Sequence, residues 1–132
     1  PLHVCILNAG IMALPWKKTN DGLEQQWQVN FLGHFLFCRL LLSAMDPNHG
    51  RIVHVASGAH RLHPEEMDYE LLAQEHQSAG EDFDQWRAYG RSKLANILFS
   101  NELARRYKDS GSKITSNALH PGNVQTALWS KI

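Results

Sequence analysis

Three short apolar runs alternate along this chain with two long stretches of helical periodicity. Residues 3–8, His-Val-Cys-Ile-Leu-Asn, show no polar alternation and read as a strand buried on both faces, as in a parallel sheet. From Leu23 the apolar residues Leu23, Trp27, Phe31, Leu32, Phe35 and Leu36 recur at helical spacing. They predict a helix to about residue 44, capped by Asn20 or Asp21 and closed by Pro47 with Asn48-His49-Gly50. Residues 51–56 predict a second buried strand, with Ser57-Gly58 directly at its carboxyl end. Residues 59–86 are polar and acidic, with a short helix expected over 67–74. That length suits a functional flap or a partly mobile segment better than a simple connection. A second long helix is expected from about residue 86 to 108, ended by Ser110-Gly111-Ser112. Residues 114–119 give a third strand, and His120-Pro121-Gly122 turns the chain. Strand–helix–strand–helix–strand implies a parallel sheet with helices packed on it.

Composition narrows the class. Thirteen basic residues balance thirteen acidic ones, so nothing points to nucleic acid or an anionic membrane as partner. Cys5 and Cys38 both sit in apolar patterns and read as reduced core residues of an intracellular, cytoplasmic protein. The longest apolar run, residues 31–42, is broken by His34 and Arg39 and is shorter than a membrane span. His60 and His63 lack a third ligand at suitable spacing, so no metal site is expected.

The chemistry centres on Tyr89-Gly90-Arg91-Ser92-Lys93. Tyr89 and Lys93 are four residues apart, which stacks them on one helix face. An ammonium one turn from a phenol favours the phenolate and draws its pKa down from about 10 toward neutrality. Such a pair can move a proton to or from an alcohol or carbonyl, although a lone pair of this spacing is common on amphipathic helices. Ser57 stands where ligands bind in open α/β sheets, at a strand's carboxyl end. Asn8-Ala9-Gly10 ends the first strand with a glycine that allows close backbone approach or a plain turn. Asn30 interrupts the apolar stripe of the first helix and must find hydrogen-bond partners there or face solvent at the stripe's edge.

In this order and at these places, the features resemble the short-chain dehydrogenase/reductase family over essentially the whole chain. Within it they are similar to the branch of the retinol dehydrogenases and the WW domain-containing oxidoreductase. The cues are Leu14-Pro15-Trp16, Asp21-Gly22-Leu23-Glu24, residues 29–35 (Val-Asn-Phe-Leu-Gly-His-Phe), residues 92–99 (Ser-Lys-Leu-Ala-Asn-Ile-Leu-Phe) and His120-Pro121-Gly122-Asn123. The resemblance implies a three-layer, Rossmann-like, doubly wound parallel sheet. It implies NAD or NADP as cofactor and a small alcohol or carbonyl, retinoid- or steroid-like, as substrate. Tyr89 would be the catalytic acid/base. Lys93 would lower its pKa and bind the nicotinamide ribose. Ser57 would hold the substrate oxygen, and Asn30 would anchor a water linking Lys93 to solvent. Asn8, Ala9 and Gly10 would line the adenosine side of the cofactor; Pro121, Gly122 and Thr126 would line the nicotinamide and phosphate side. Two copies would pair through the two long helices.

Three departures accompany the resemblance. The glycine-rich dinucleotide turn and its strand are missing, so residues 1–132 are expected to be the central and C-terminal part of one dehydrogenase domain, lacking the first strands and inactive alone. Ser57 precedes Tyr89 by 32 positions (89 − 57), a long spacing that the same branch shares. The chain ends before the family's substrate loop and last strand, so the substrate is not legible. Two other readings stay open: a non-catalytic interaction domain on the same fold, and an epimerase or dehydratase sharing the Tyr and Lys.

Overall fold

The computed structural model describes residues 1–62, 67, 69–79, 83–125 and 128. Strands β1 (Val4–Leu7), β2 (Arg51–Val55) and β3 (Thr115–Leu119) form a parallel sheet in the order β1-β2-β3. Cys5 pairs with Ile52, and Ile52 with Ser116, so their carboxyl ends align along one edge. Each long crossover is helical, as parallel strands require.

The helices lie on one face of the sheet. Cys5, Leu7 and Ile52 point toward them and pack with Cys38, Met45, Phe99, Leu103 and Ile114 in the main core. The other face stays open, with Val4 47% and Ile6 62% exposed. The expectation that β1 is buried on both faces is therefore corrected. An unbroken apolar run does not tell which face is covered, and among the described residues only one is.

The first long helix is not one continuous α-helix. It begins with a turn, α1 (Gln25–Trp27), passes through a π-turn over Gln28–Leu32, and continues as α2 (Gly33–Leu41) into a 3₁₀ turn over Leu42–Ala44. Its cap is Glu24, not Asn20 or Asp21. The Glu24 carboxylate accepts from the backbone N–H of Gln26 at 2.9 Å and of Trp27 at 2.8 Å. The π-turn adds a residue to the helical repeat, and such turns often mark functional sites. Here it contains Asn30.

The second long helix, α4 (Gln85–Asp109), runs close to the expected bounds and is capped by Asp84. Glu102 pairs with Arg105 at 2.8 Å and Arg106 at 2.6 Å on its solvated side. Between β2 and α4 stand a 3₁₀ turn over Gly58–Leu62 and helix α3 (Tyr69–Gln77). α3 is anchored: Trp16 Nε1 donates to the Glu75 carbonyl at 2.7 Å, the Glu24 N–H donates to His76 Nδ1 at 3.1 Å, and buried Glu75 pairs with buried Arg91 of α4.

His54 is fully buried on β2, edge-on to Phe99 at 5.1 Å, with Nε2 3.2 Å from Ser116 Oγ. Burial lowers its pKa from 6.5 to about 4. Below pH 6.5 the unfolded chain takes up a proton that the folded chain refuses until about pH 4. Stability from this residue is thus present above pH 6.5 and lost as pH falls toward 4. We expect the urea midpoint to drop between pH 7.5 and 5, and the drop to be smaller in His54→Leu. Equal pH slopes in the two proteins would show that His54 does not titrate on unfolding.

Candidate active site

The carboxyl ends of the three strands open into one cavity of about 750 Å³, within the usual size of small-molecule sites. β1 contributes Asn8, Ala9 and Gly10; β2 leads to Ser57; β3 leads to His120, Pro121 and Gly122; α4 closes the wall with Trp86, Tyr89 and Lys93. Thr126 lies outside the described residues.

Tyr89 is buried, 5% exposed, against Met12 and Ala13. Its ring meets Trp86 edge-on at 6.4 Å. A hydrogen bond joins its phenol to the Ser57 side chain. Ser57 Oγ also accepts from the Ala59 N–H at 3.2 Å, which fixes the hydroxyl over the end of β2. Both side chains therefore present oxygen to the same point of the cavity.

Lys93 is 4% exposed. Its ammonium donates to the Val55 carbonyl at 3.0 Å and sits 5.5 Å from the centroid of the Tyr89 ring. The helical spacing thus stacks the pair as expected, but the electrostatics differ. Burial raises the Tyr89 pKa, partly offset by the Ser57 hydrogen bond. Burial also draws Lys93 down to about 8. Burial, and not the neighbouring ammonium, sets the direction in which the phenol is moved. The phenol is accordingly protonated at neutral pH.

Asn30 does not line the cavity. It is fully buried behind it, and both ends of its amide are used. Oδ1 accepts from the Ile11 N–H at 2.8 Å; Nδ2 donates to the Ile11 carbonyl at 2.9 Å and to Ser92 Oγ at 3.0 Å. The side chain welds the loop after β1 to α4, one residue before Lys93. Gly10 is needed at this crossing, since a Cβ there would lie 3.1 Å from Asn30 Oδ1 and 3.5 Å from Lys93 Nζ. Lys93 and Tyr89 both line the cavity, so the residues present fit the nicotinamide half of a dinucleotide.

Sequence reasoning overlooked three contributors. Gly90 lets α4 touch the turn after Ser57; Ser92 holds Asn30; His120 lies beside Gly58, 3.6 Å from where a Cβ would stand. All three stood inside motifs, but only Gly90 carried a physical signal of its own, being a glycine inside a helix where alanine would be more stable.

The family model described as short chain dehydrogenase matches residues 1–68. The chain belongs to the short-chain dehydrogenase family. It is 44% identical over 130 residues to the human WW domain-containing oxidoreductase, covering 94% of this chain and 30% of that protein. It is 47% identical over 128 residues to human retinol dehydrogenase 11, covering 96% and 37%. These support the branch expected from the motifs. A crystal structure from Mycobacterium paratuberculosis superposes with a TM-score of 0.75 at 40% identity, covering 97% of this chain and 44% of that one. The angucycline C-6 ketoreductase LanV with bound NADP gives 0.66 at 27%, covering 98% and 43%. A Brucella ovis oxidoreductase of the same family, in complex with a partially ordered NAD, gives 0.60 at 26%, covering 98% and 53%. The chain thus spans about a third of the length of the curated relatives it matches. No helix among the described residues is long and apolar enough to cross a membrane, and they contain no cluster of metal-ligating side chains.

Proposed function

We propose that residues 1–132 are the central and C-terminal part of one NAD(P)-binding domain that oxidises a secondary alcohol or reduces the matching carbonyl, with a retinoid- or steroid-like skeleton. The observation that carries this is the convergence of Ser57 and Tyr89 on one point of the cavity, with Lys93 buried behind the phenol. The bound cofactor supplies the hydride. In reduction, Ser57 and Tyr89 grip the carbonyl oxygen, and the Tyr89 O–H gives its proton to that oxygen as negative charge develops. In oxidation, the phenolate takes the alcohol proton. Lys93 holds a charge close to the reacting pair and restores the phenol. Asn8, Ala9 and Gly10 support the adenosine side, and Pro121 and Gly122, with Thr126, the nicotinamide and phosphate side. The apolar walls, Met12, Val124 and Leu128, suit a lipophilic substrate.

The buried free thiols Cys5 and Cys38, the latter with its pKa pushed up to about 11, favour a reducing, intracellular and cytoplasmic setting. Leu36, Phe37 and Leu40 on α2 and Leu98 on α4 are exposed, and pairing two copies through these helices would cover them. Residues 1–132 alone carry the Tyr–Lys wall but no glycine-rich pyrophosphate turn, and are expected to be inactive.

The test is fluorescence titration of the full-length protein with NADH and NADPH, followed by assay against retinoid and steroid alcohols and carbonyls. Binding of one dinucleotide with turnover of a panel member is the expected result. Binding of neither would sink the oxidoreductase reading and leave an interaction domain.

A further inference from the structure

Among the described residues, Ala13 alone combines a side chain with a positive φ, of +46°. A residue with a Cβ adopts this left-handed conformation rarely and at a cost, and it persists only where the surroundings over-determine it. Here the loop is pinned on both sides of the strained residue. Before it, the Ile11 N–H and carbonyl are both bonded to the Asn30 amide. After it, the Pro15 carbonyl accepts from Gln25 Nε2 at 2.6 Å, and Trp16 Nε1 donates to the Glu75 carbonyl at 2.7 Å. Between the pins, Met12 and Ala13 are buried against Tyr89, and Met12 lines the cavity.

Glu75 has a second hold on the same wall. Its backbone carbonyl takes Trp16, while its carboxylate meets the Arg91 guanidinium with both oxygens, Oε2 against Nη1 and Oε1 against Nη2 at 3.1 Å. Both side chains are buried, and a two-pronged pair fixes orientation as well as distance. Arg91 stands between Tyr89 and Lys93 on α4. The Glu24 N–H, bonded to His76 Nδ1 at 3.1 Å, ties α3 to the start of α1 as well. The buried residues of α3 are only Leu72 and Glu75, so polar contacts and not a broad apolar face set its place.

Resting on the reading of Tyr89 as the proton-transfer group, we propose that Glu75 is a positioning residue for it: the two ends of Glu75 clamp the strained loop after β1 and the tyrosine-bearing turn of α4 into one closed wall. Glu75 stands outside the cavity lining and acts through Trp16 and Arg91. Once Trp16 is released, the loop relaxes the Ala13 conformation and draws Met12 away from Tyr89. Water then reaches the ring, and the burial that raises its pKa is reduced. Around Tyr89 the titratable groups are Lys93 from α4 and His120 after β3. The loop after β1 brings Met12 and Ala13, and the turn after β2 brings Ser57 and Ala59, none of which titrates in this range.

The experiment uses the full-length protein with carbon-13 at the tyrosine Cζ. The readouts are the NMR titration of Tyr89, assigned with Tyr89→Phe, dinucleotide affinity by fluorescence, and kcat and KM for reduction of the retinoid and steroid carbonyls. Trp16→Phe keeps an aromatic ring and deletes the N–H that Glu75 holds. It is expected to bind dinucleotide as wild type does, to titrate Tyr89 at lower pH, and to lose about tenfold in kcat, because small misplacements at a reacting centre are costly. Glu75→Gln keeps the volume and the backbone carbonyl but weakens the hold on Arg91. It should act in the same direction, and adding Trp16→Phe to it should cost little more. A folded Trp16→Phe protein with unchanged Tyr89 titration and kcat would overturn the proposal, as would fully additive losses in the double variant. Should neither variant fold, the wild type decides: an indole N–H clamped by Glu75 exchanges slowly with solvent, and fast exchange at Trp16 overturns the clamp. A Tyr89 titration that shifts as expected in a protein that turns nothing over would uphold the clamp and count against the oxidoreductase reading alone.

Discussion

Tyr89→Phe should keep its fold and its cofactor affinity while losing turnover by about 10²- to 10⁴-fold, the usual worth of a positioned acid or base. The substitution removes one oxygen and little else. The ring would still sit against Met12 and Ala13, meet Trp86 edge-on, and carry Lys93 over its face. What disappears is the hydroxyl shared with Ser57. Because burial raises the phenol's pKa, wild type holds the proton at neutral pH and is poised to donate it. Reduction should therefore run well near pH 7, and oxidation should accelerate as pH rises and phenolate becomes accessible. Both pH trends should vanish in Tyr89→Phe. The measurements are circular dichroism, cofactor titration and turnover in both directions between pH 6 and 10. A mutant within about threefold of wild type would mean that Tyr89 is not the proton-transfer group, whatever the family likeness.

That expectation illustrates which parts of the site could be read from sequence. The four-residue step from Tyr89 to Lys93 is a property of any α-helix, so the shared face was legible. The direction of the phenol's pKa was not, because it depends on how deeply the cavity wall closes over the ring and on where the ammonium points. The strands were legible as apolar runs, yet nothing local shows which face a helix will cover. Helix α2 announced itself by period, but the π-turn and the Glu24 cap did not. Asp21 is a better capping residue in isolation; Glu24 wins because it is held, fully buried, next to Arg91 and the Gln26 and Trp27 N–H groups. The Arg91–Glu75 pair was invisible for a related reason. A charged residue one position past Gly90 reads as solvated surface, and only the folding of α3 onto α4 turns it inward. A buried pair of this kind loses heavily when one partner is removed, so α3 is anchored to α4 by it.

Gly90→Ala reverses the usual sign of its kind. In an exposed helix interior, replacing glycine with alanine stabilises by about 0.5–1 kcal/mol. At position 90 the new methyl would meet the Ala59 carbonyl oxygen, with the Ala59 carbonyl carbon at 3.3 Å and Leu62 Cβ at 3.5 Å. The oxygen would lie far inside contact distance, and it is backbone, so no rotamer change relieves it. Either α4 or the 3₁₀ turn must move. α4 is held by Asn30–Ser92 and by the Arg91–Glu75 pair, so the turn yields. Ala59 is bonded to Ser57 Oγ through its N–H, and His60 Nδ1 approaches the Ser57 carbonyl at 2.7 Å. Displacing the turn thus carries Ser57 away from the Tyr89 hydroxyl. We expect destabilisation of about 1–3 kcal/mol, the range for overpacking, and a fall in turnover that restored stability does not rescue. A double-mutant cycle separates the two effects. If Gly90→Ala acts through Ser57, it should cost much less turnover in a Ser57→Ala background than in wild type. Additive losses would mean that the methyl disturbs catalysis by another route. A more stable and fully active Gly90→Ala protein would mean that α4 and the turn are not in contact at all.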